Sequence, residues 1–116
     1  MAGPDTANRA GMVDKLKIML AQLNPTVGAV AENSERVRAV HADAVTAGAD
    51  LVVFTELFIS GYPPEDLVLK PAFVDACQKA VEALAGLTGN GAPGILITSP
   101  WVEDGKLYNA AILLED

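Results

Sequence analysis

At 116 residues and 51% apolar content, the chain is long enough for one domain with one modest core and too apolar for a disordered segment. Eight basic against 15 acidic residues leave a formal charge of −7, and no lysine or arginine cluster interleaves with aromatics, which excludes a nucleic-acid surface and disfavours anionic membranes. Cys77 is the only cysteine, so an internal disulfide and a multi-cysteine metal site are both ruled out, and a reducing compartment, the cytoplasm, is expected.

Residues 1–14 are small and polar with no continuous apolar core, so they read as a loose tail and not as a secretory signal. Met12, just ahead of the first strand, is a candidate start. Residues 15–116 form the domain proper, and no span in it approaches the ~20 apolar residues that cross a bilayer. Residues 16–23 are short, apolar and closed by Asn24-Pro25, where proline cannot donate to a ladder; they predict the first strand. From 29 to 47, Val30, Val37, Val40, Ala44 and Val45 recur at helical spacing. Glu32, Glu35, Arg36, Arg38 and Asp43 take the other face, His41 sits at the boundary of core and solvent, and Gly48 closes the helix.

Residues 51–55 are nearly all apolar with β-branched members, as expected of a parallel strand covered on both faces. Glu56 follows at the strand's end, and Gly61-Tyr62-Pro63-Pro64 then turns the backbone away. Glu65-Asp66 reads as an acidic start to a helical turn. Residues 71–87 repeat apolar groups at Phe73, Ala76, Cys77, Ala80, Val81, Leu84 and Leu87, a second amphipathic helix ended by glycines 86, 89 and 91. Residues 94–99 and 107–114 predict two more strands, joined through Asp104-Gly105, a pair suited to a tight hairpin.

The order is β-α-β-α-β-β, an α/β fold with right-handed parallel crossovers and a closing hairpin that makes the sheet mixed. Two helices can cover one face of such a sheet. The other face requires a second layer that these residues do not supply, so the chain is expected to be cut, with a partner or a missing half covering it.

Glu56 is the principal candidate site residue. In open α/β sheets ligands bind outside the carboxyl ends of the strands, and a lone carboxylate there is a candidate general base. Its sequence neighbours Phe54, Leu57, Phe58 and Ile59 predict an apolar surround that tunes it. The alternative is a carboxylate that caps a backbone amide or pairs with a lysine. Tyr62 is a candidate pocket wall whose hydroxyl could bond a polar substrate, or simple loop packing.

Other features carry less. Gly89-Asn90-Gly91-Ala92-Pro93-Gly94 matches the dinucleotide pattern in letters, but it follows a helix and opens a strand, the reverse of the required context, so it reads as a loop. Cys77 lies on an apolar helix face with no nearby cation and reads as core. His41 has no second histidine with which to form a metal pair. Asn109, beside Ala110 and Ala111, reads as strand packing.

Taken in order, Ala21-Gln22-Leu23-Asn24-Pro25-Thr26-Val27-Gly28, Thr55-Glu56-Leu57, Gly61-Tyr62-Pro63-Pro64-Glu65-Asp66-Leu67 and Leu107-Tyr108-Asn109-Ala110-Ala111 resemble the nitrilase-type carbon-nitrogen hydrolases. The 61–67 element is similar to the front of the glutaminase domains found in glutamine-dependent NAD⁺ synthetases. The resemblance runs from about residue 16 to the last residue.

It implies the N-terminal half of an α-β-β-α sandwich and a Glu-Lys-Cys triad. In that chemistry the cysteine attacks the glutamine side-chain amide, the glutamate is general base and the lysine stabilises the tetrahedral intermediate. Ammonia then leaves for an ATP-dependent domain that amidates nicotinic acid adenine dinucleotide. By position, Glu56 falls on the catalytic glutamate and Tyr62 on a tyrosine lining the glutamine pocket.

The family's lysine and cysteine lie beyond the 107–114 strand, past the end of this chain, and Cys77 cannot replace the nucleophile. The resemblance therefore implies no cofactor in this chain, with ATP and Mg in the absent synthetase domain, and a homo-oligomer at full length. The isolated chain is expected to be inactive. Two other readings stay open: the front half of another nitrilase-type amidase, and a non-catalytic remnant that pairs through its uncovered sheet face.

Overall fold

The computed structural model describes residues 15–115. The tail expected over 1–14, and Met12 with it, lie outside the described residues.

Four strands form one sheet: β1 (Ile18–Ala21), β2 (Leu51–Phe54), β3 (Gly94–Glu103) and β4 (Lys106–Leu114), side by side in chain order. Strands β1, β2 and β3 run parallel, and β4 returns antiparallel from β3. The crossovers carry α1 (Val30–Ala47) and α2 (Pro71–Leu84), with a 3₁₀ turn at Glu65–Leu69 ahead of α2 and another at Ala85–Leu87 after it. The predicted order and the mixed sheet hold. Three boundaries differ by more than one residue: the first strand is shorter than 16–23, the second helix gives way to the 3₁₀ turn after Leu84, and the third strand continues to Glu103 because nine residue pairs, Ile95↔Leu114 to Glu103↔Lys106, bind it to β4.

Local chemistry explains where the elements stop. Gly48 takes φ +73 and sends its N–H to the Val45 carbonyl, a left-handed helix end open to glycine without a Cβ penalty. Pro71 opens α2 at the first position, where the missing N–H has no helical partner to lose. Asp104 and Gly105 both have positive φ in the β3–β4 turn, as a two-residue hairpin needs.

Register places Met19, Ala21, Val52, Phe54, Ile95 and Ile97 on one face of the sheet. They bury against Val37 and Ala44 of α1 and Cys77, Val81 and Leu84 of α2 in a single core. The other face carries Ile18, Leu20 and Leu113, which are 45%, 66% and 51% exposed, and among the described residues no second layer covers it.

The inner stripe of α1 corrects the sequence reading. It is built from Asn33, Ser34, Val37, His41 and Ala44, while Val45 is exposed. His41 is buried and not at the boundary, because its Nε2 meets the Pro93 carbonyl at 2.9 Å and so keeps a polar partner inside. Along α2, Val74 joins the buried set and Ala76 faces out.

Candidate active site

Because β1 and β2 are parallel, their carboxyl ends emerge at one edge of the sheet, and the loops after them meet there. Gln22, Leu23, Asn24 and Pro25 from the first loop, with Thr55, Glu56 and Tyr62 from the second, line an open cleft of about 400 Å³. Glu56 and Tyr62, the two residues singled out from sequence, thus share one cleft. Tyr62 is 56% exposed.

The loops are joined by a buried amide that sequence reading missed. Asn33 of α1 accepts from the Thr26 N–H at 2.8 Å and donates to the Thr26 and Ile59 carbonyls at 2.8 and 3.0 Å. Gly28 adds an N–H bond to the Ser60 carbonyl at 2.9 Å. The approach is close enough that a Cβ at Gly61 would fall 2.4 Å from the Val27 Cα, and Gly61 itself has φ +81. Only glycine fits there.

Glu56 is exposed, and the apolar cover expected of its neighbours is not formed by them. Leu57, Phe58 and Ile59 turn into the core, since the chain leaves the strand and coils inward immediately after Glu56. The partner of the carboxylate comes instead from β4: Asn109 Nδ2 donates to Glu56 Oε2 at 2.6 Å. Asn109 is paired with Pro100 in the extended part of the hairpin, which brings it level with the carboxyl ends of the parallel strands. Its reading as strand packing is superseded by this bond. Asn109 also lines a separate apolar cavity of about 260 Å³ with Leu57, Pro64, Val68, Pro100, Leu107 and Tyr108, so the Glu56–Asn109 pair stands between two cavities.

An open carboxylate with one amide donor fixing its direction can accept a proton from an incoming group or orient a polar substrate. Cys77 is not in the cleft. It is buried under the sheet, where burial pushes its thiol up to about 11 against a smaller opposing effect of the Ser99 hydrogen bond. It stays a thiol at neutral pH, the form that is not nucleophilic. The 89–94 segment forms a turn closed by a Gly89↔Ala92 bridge, away from this edge.

The carbon-nitrogen hydrolase profile matches residues 17–116. The chain belongs to the carbon-nitrogen hydrolase family. It is 47% identical over 105 residues to the glutamine-dependent NAD(+) synthetase of Rhodobacter capsulatus, covering 90% of this chain and 19% of that protein. With the Thermotoga maritima protein of the same name it shares 38% identity over 103 residues, covering 88% and 18%. Among solved structures it matches a glutamine-dependent NAD+ synthetase from Acinetobacter baumannii in complex with ADP, with TM-score 0.79, 32% identity, and 87% and 19% coverage.

An amidase from Nesterenkonia sp. shares the fold at TM-score 0.63 and 20% identity, over 90% of this chain and 39% of that one. The architecture of this family member is therefore half of a nitrilase-like sandwich, as predicted. The chain spans about a fifth of the length of the synthetases it matches. No helix among the described residues is long and apolar enough to cross a membrane.

Proposed function

We propose that this chain is the front half of a glutaminase domain that hydrolyses the side-chain amide of glutamine and supplies ammonia to an ATP-dependent NAD⁺ synthetase. The observation that carries this reading is the shared cleft of Glu56 and Tyr62 at the carboxyl edge of a chain 47% identical to a glutamine-dependent NAD(+) synthetase. In this reading Glu56 is the general base and Tyr62 a wall of the glutamine pocket.

Glu56 takes the proton of a cysteine thiol contributed by the rest of the domain. The sulfur bonds the amide carbon, the C–N bond breaks, and the proton departs with ammonia. Water then releases glutamate from the thioester. A lysine, also from the rest of the domain, stabilises the tetrahedral oxyanion. The same missing half covers Ile18, Leu20 and Leu113 on the open sheet face. ATP and Mg belong to the synthetase domain, the full-length protein is a homo-oligomer, and it works in the cytoplasm.

Alone, the chain is inactive, because a base without its nucleophile has nothing to activate. Two measurements test this. The purified chain should release no ammonia from glutamine above a Glu56→Gln control; release above it would show that the triad is not needed. Residues 17–116, substituted for the matching segment of the Rhodobacter capsulatus synthetase, should support glutamine hydrolysis, and Glu56→Gln should lower that rate by about 10²-fold or more. An unchanged rate in the Glu56→Gln chimera would remove Glu56 from the reaction.

A further inference from the structure

The regular pairing of β2 with β3 ends at Val53↔Leu96, yet the chain stays bound to β3 as far as Ile59. One residue does this. The Thr98 hydroxyl donates to the Thr55 carbonyl and accepts from the Phe58 N–H at 2.9 Å. The Thr98 carbonyl accepts from the Ile59 N–H at 3.2 Å. Glu56 and Leu57 are the residues left between these contacts, so they form the crest of a loop whose two feet rest on a single hydroxyl.

That crest is conformationally unusual. Leu57 has φ +49, a left-handed backbone that L-residues with side chains adopt reluctantly. Such a conformation persists only where its surroundings over-determine it. Here the bonds at Thr55 and Phe58 hold it from both sides while the Leu57 side chain is buried. With Leu57 turned in, Glu56 is turned out, toward the cleft and the Asn109 amide at 2.6 Å.

We propose that Thr98 is the positioning residue for the Glu56 carboxylate, holding through its hydroxyl the backbone that aims Glu56 at the cleft and at Asn109. This rests on Glu56 being the general base. The hairpin then controls the base twice, through the main chain from β3 and through the carboxylate from β4. A valine at 98 would have nearly the shape of threonine but neither hydroxyl bond, whereas a serine would keep both.

The reporter is the Asn109 side-chain amide in ¹H–¹⁵N spectra of the 116-residue chain, with Glu56→Ala marking the resonance position when no carboxylate is present. Thr98→Val should move the Asn109 signal to the Glu56→Ala position while the melting temperature shows the fold retained, and Thr98→Ser should restore the wild-type signal. A wild-type Asn109 resonance in Thr98→Val would overturn the assignment, because filling space would then suffice.

If Thr98→Val does not fold, amide exchange in the wild-type chain decides. The Phe58 N–H should exchange at least ~10-fold more slowly than the Leu57 N–H, and equal rates would overturn the bracket. Neither readout needs glutamine, so failure of the glutaminase reading and failure of this placement are separate results.

Discussion

Asn109 and Glu56 lie 53 positions apart and meet at 2.6 Å, an amide donor on the last strand against a carboxylate at the end of the second. The pair is held by the sheet and by no local sequence feature: β4, paired with β3 through Pro100↔Asn109, carries Asn109 to the edge where β2 leaves Glu56. Both side chains are reached by solvent, so the bond serves direction more than stability.

Asn109→Ala should accordingly change folding stability by no more than about 0.5 kcal/mol, as surface substitutions do. In the chimeric synthetase it should lower kcat about tenfold with little change in KM, because the base is present but not aimed. Urea melts and steady-state kinetics on one preparation check both halves.

Asn33→Ala should behave in the opposite way. Asn33 is fully buried and its removal leaves the Thr26 N–H and the Ile59 carbonyl without their Asn33 partner, while the Thr26 carbonyl keeps the Ala29 N–H at 3.1 Å. At about 1–3 kcal/mol for a buried group left unsatisfied, which here is the Ile59 carbonyl, a loss of roughly 2 kcal/mol is expected, a sizeable part of a typical domain's stability. A denaturant midpoint close to wild type would show that the loops do not depend on this amide.

Gly48→Ala and Gly61→Ala separate backbone strain from steric conflict. Both glycines have positive φ, but a Cβ at Gly48 meets nothing within 4 Å, whereas at Gly61 it meets the Val27 backbone at 2.4 Å. The first should cost about 1 kcal/mol. The second should cost several times more and splay the 24–28 and 57–61 loops, visible as deprotection of the Gly28 N–H in amide exchange.

Cys77 gives the alkaline prediction. Its folded value, about 11, lies above the ordinary 9.0, so the folded state holds the proton more tightly than the unfolded state. That contribution is fully present below pH 9 and is lost as pH rises from about 9 toward 11. Cys77→Ala should flatten this part of the stability profile, and the native thiol should resist iodoacetamide at pH 8 until denaturant is added.

Much of the fold was legible because its signals are local. Gly48, Pro71 and Asp104-Gly105 mark ends and turns through conformations that few other residues adopt, and the short apolar run after Asp50, with its β-branched members, reads as the interior strand it forms. The 89–94 glycines, read as a helix-to-strand loop from their context, form such a turn. Helical periodicity showed that α1 has an inner face but not which residues lie at its centre. Packing against β2 and the Pro93 carbonyl moved that centre onto Asn33, Val37, His41 and Ala44 and left Val45 outside.

The candidate site divides in the same way. Glu56 and Tyr62 were visible in the chain because a carboxylate at a strand end and a tyrosine in a glycine-proline loop are positional signals. Asn33, Thr98 and Asn109 were not, although Asn33 stands on the apolar stripe between Val30 and Val37, where a polar residue marks a buried network. Thr98 looks like any β-branched strand residue, and the apolar letters around Glu56 suggested a cover that in fact faces the core. Sequence by itself determined which elements form and which carboxylate reaches the sheet edge, since propensity, capping and alternation act over a few residues. Only the tertiary structure decided what holds that carboxylate, because hydrogen bonds such as Thr98–Phe58 and Asn109–Glu56 join residues 40 and 53 positions apart and exist only once the strands are in register.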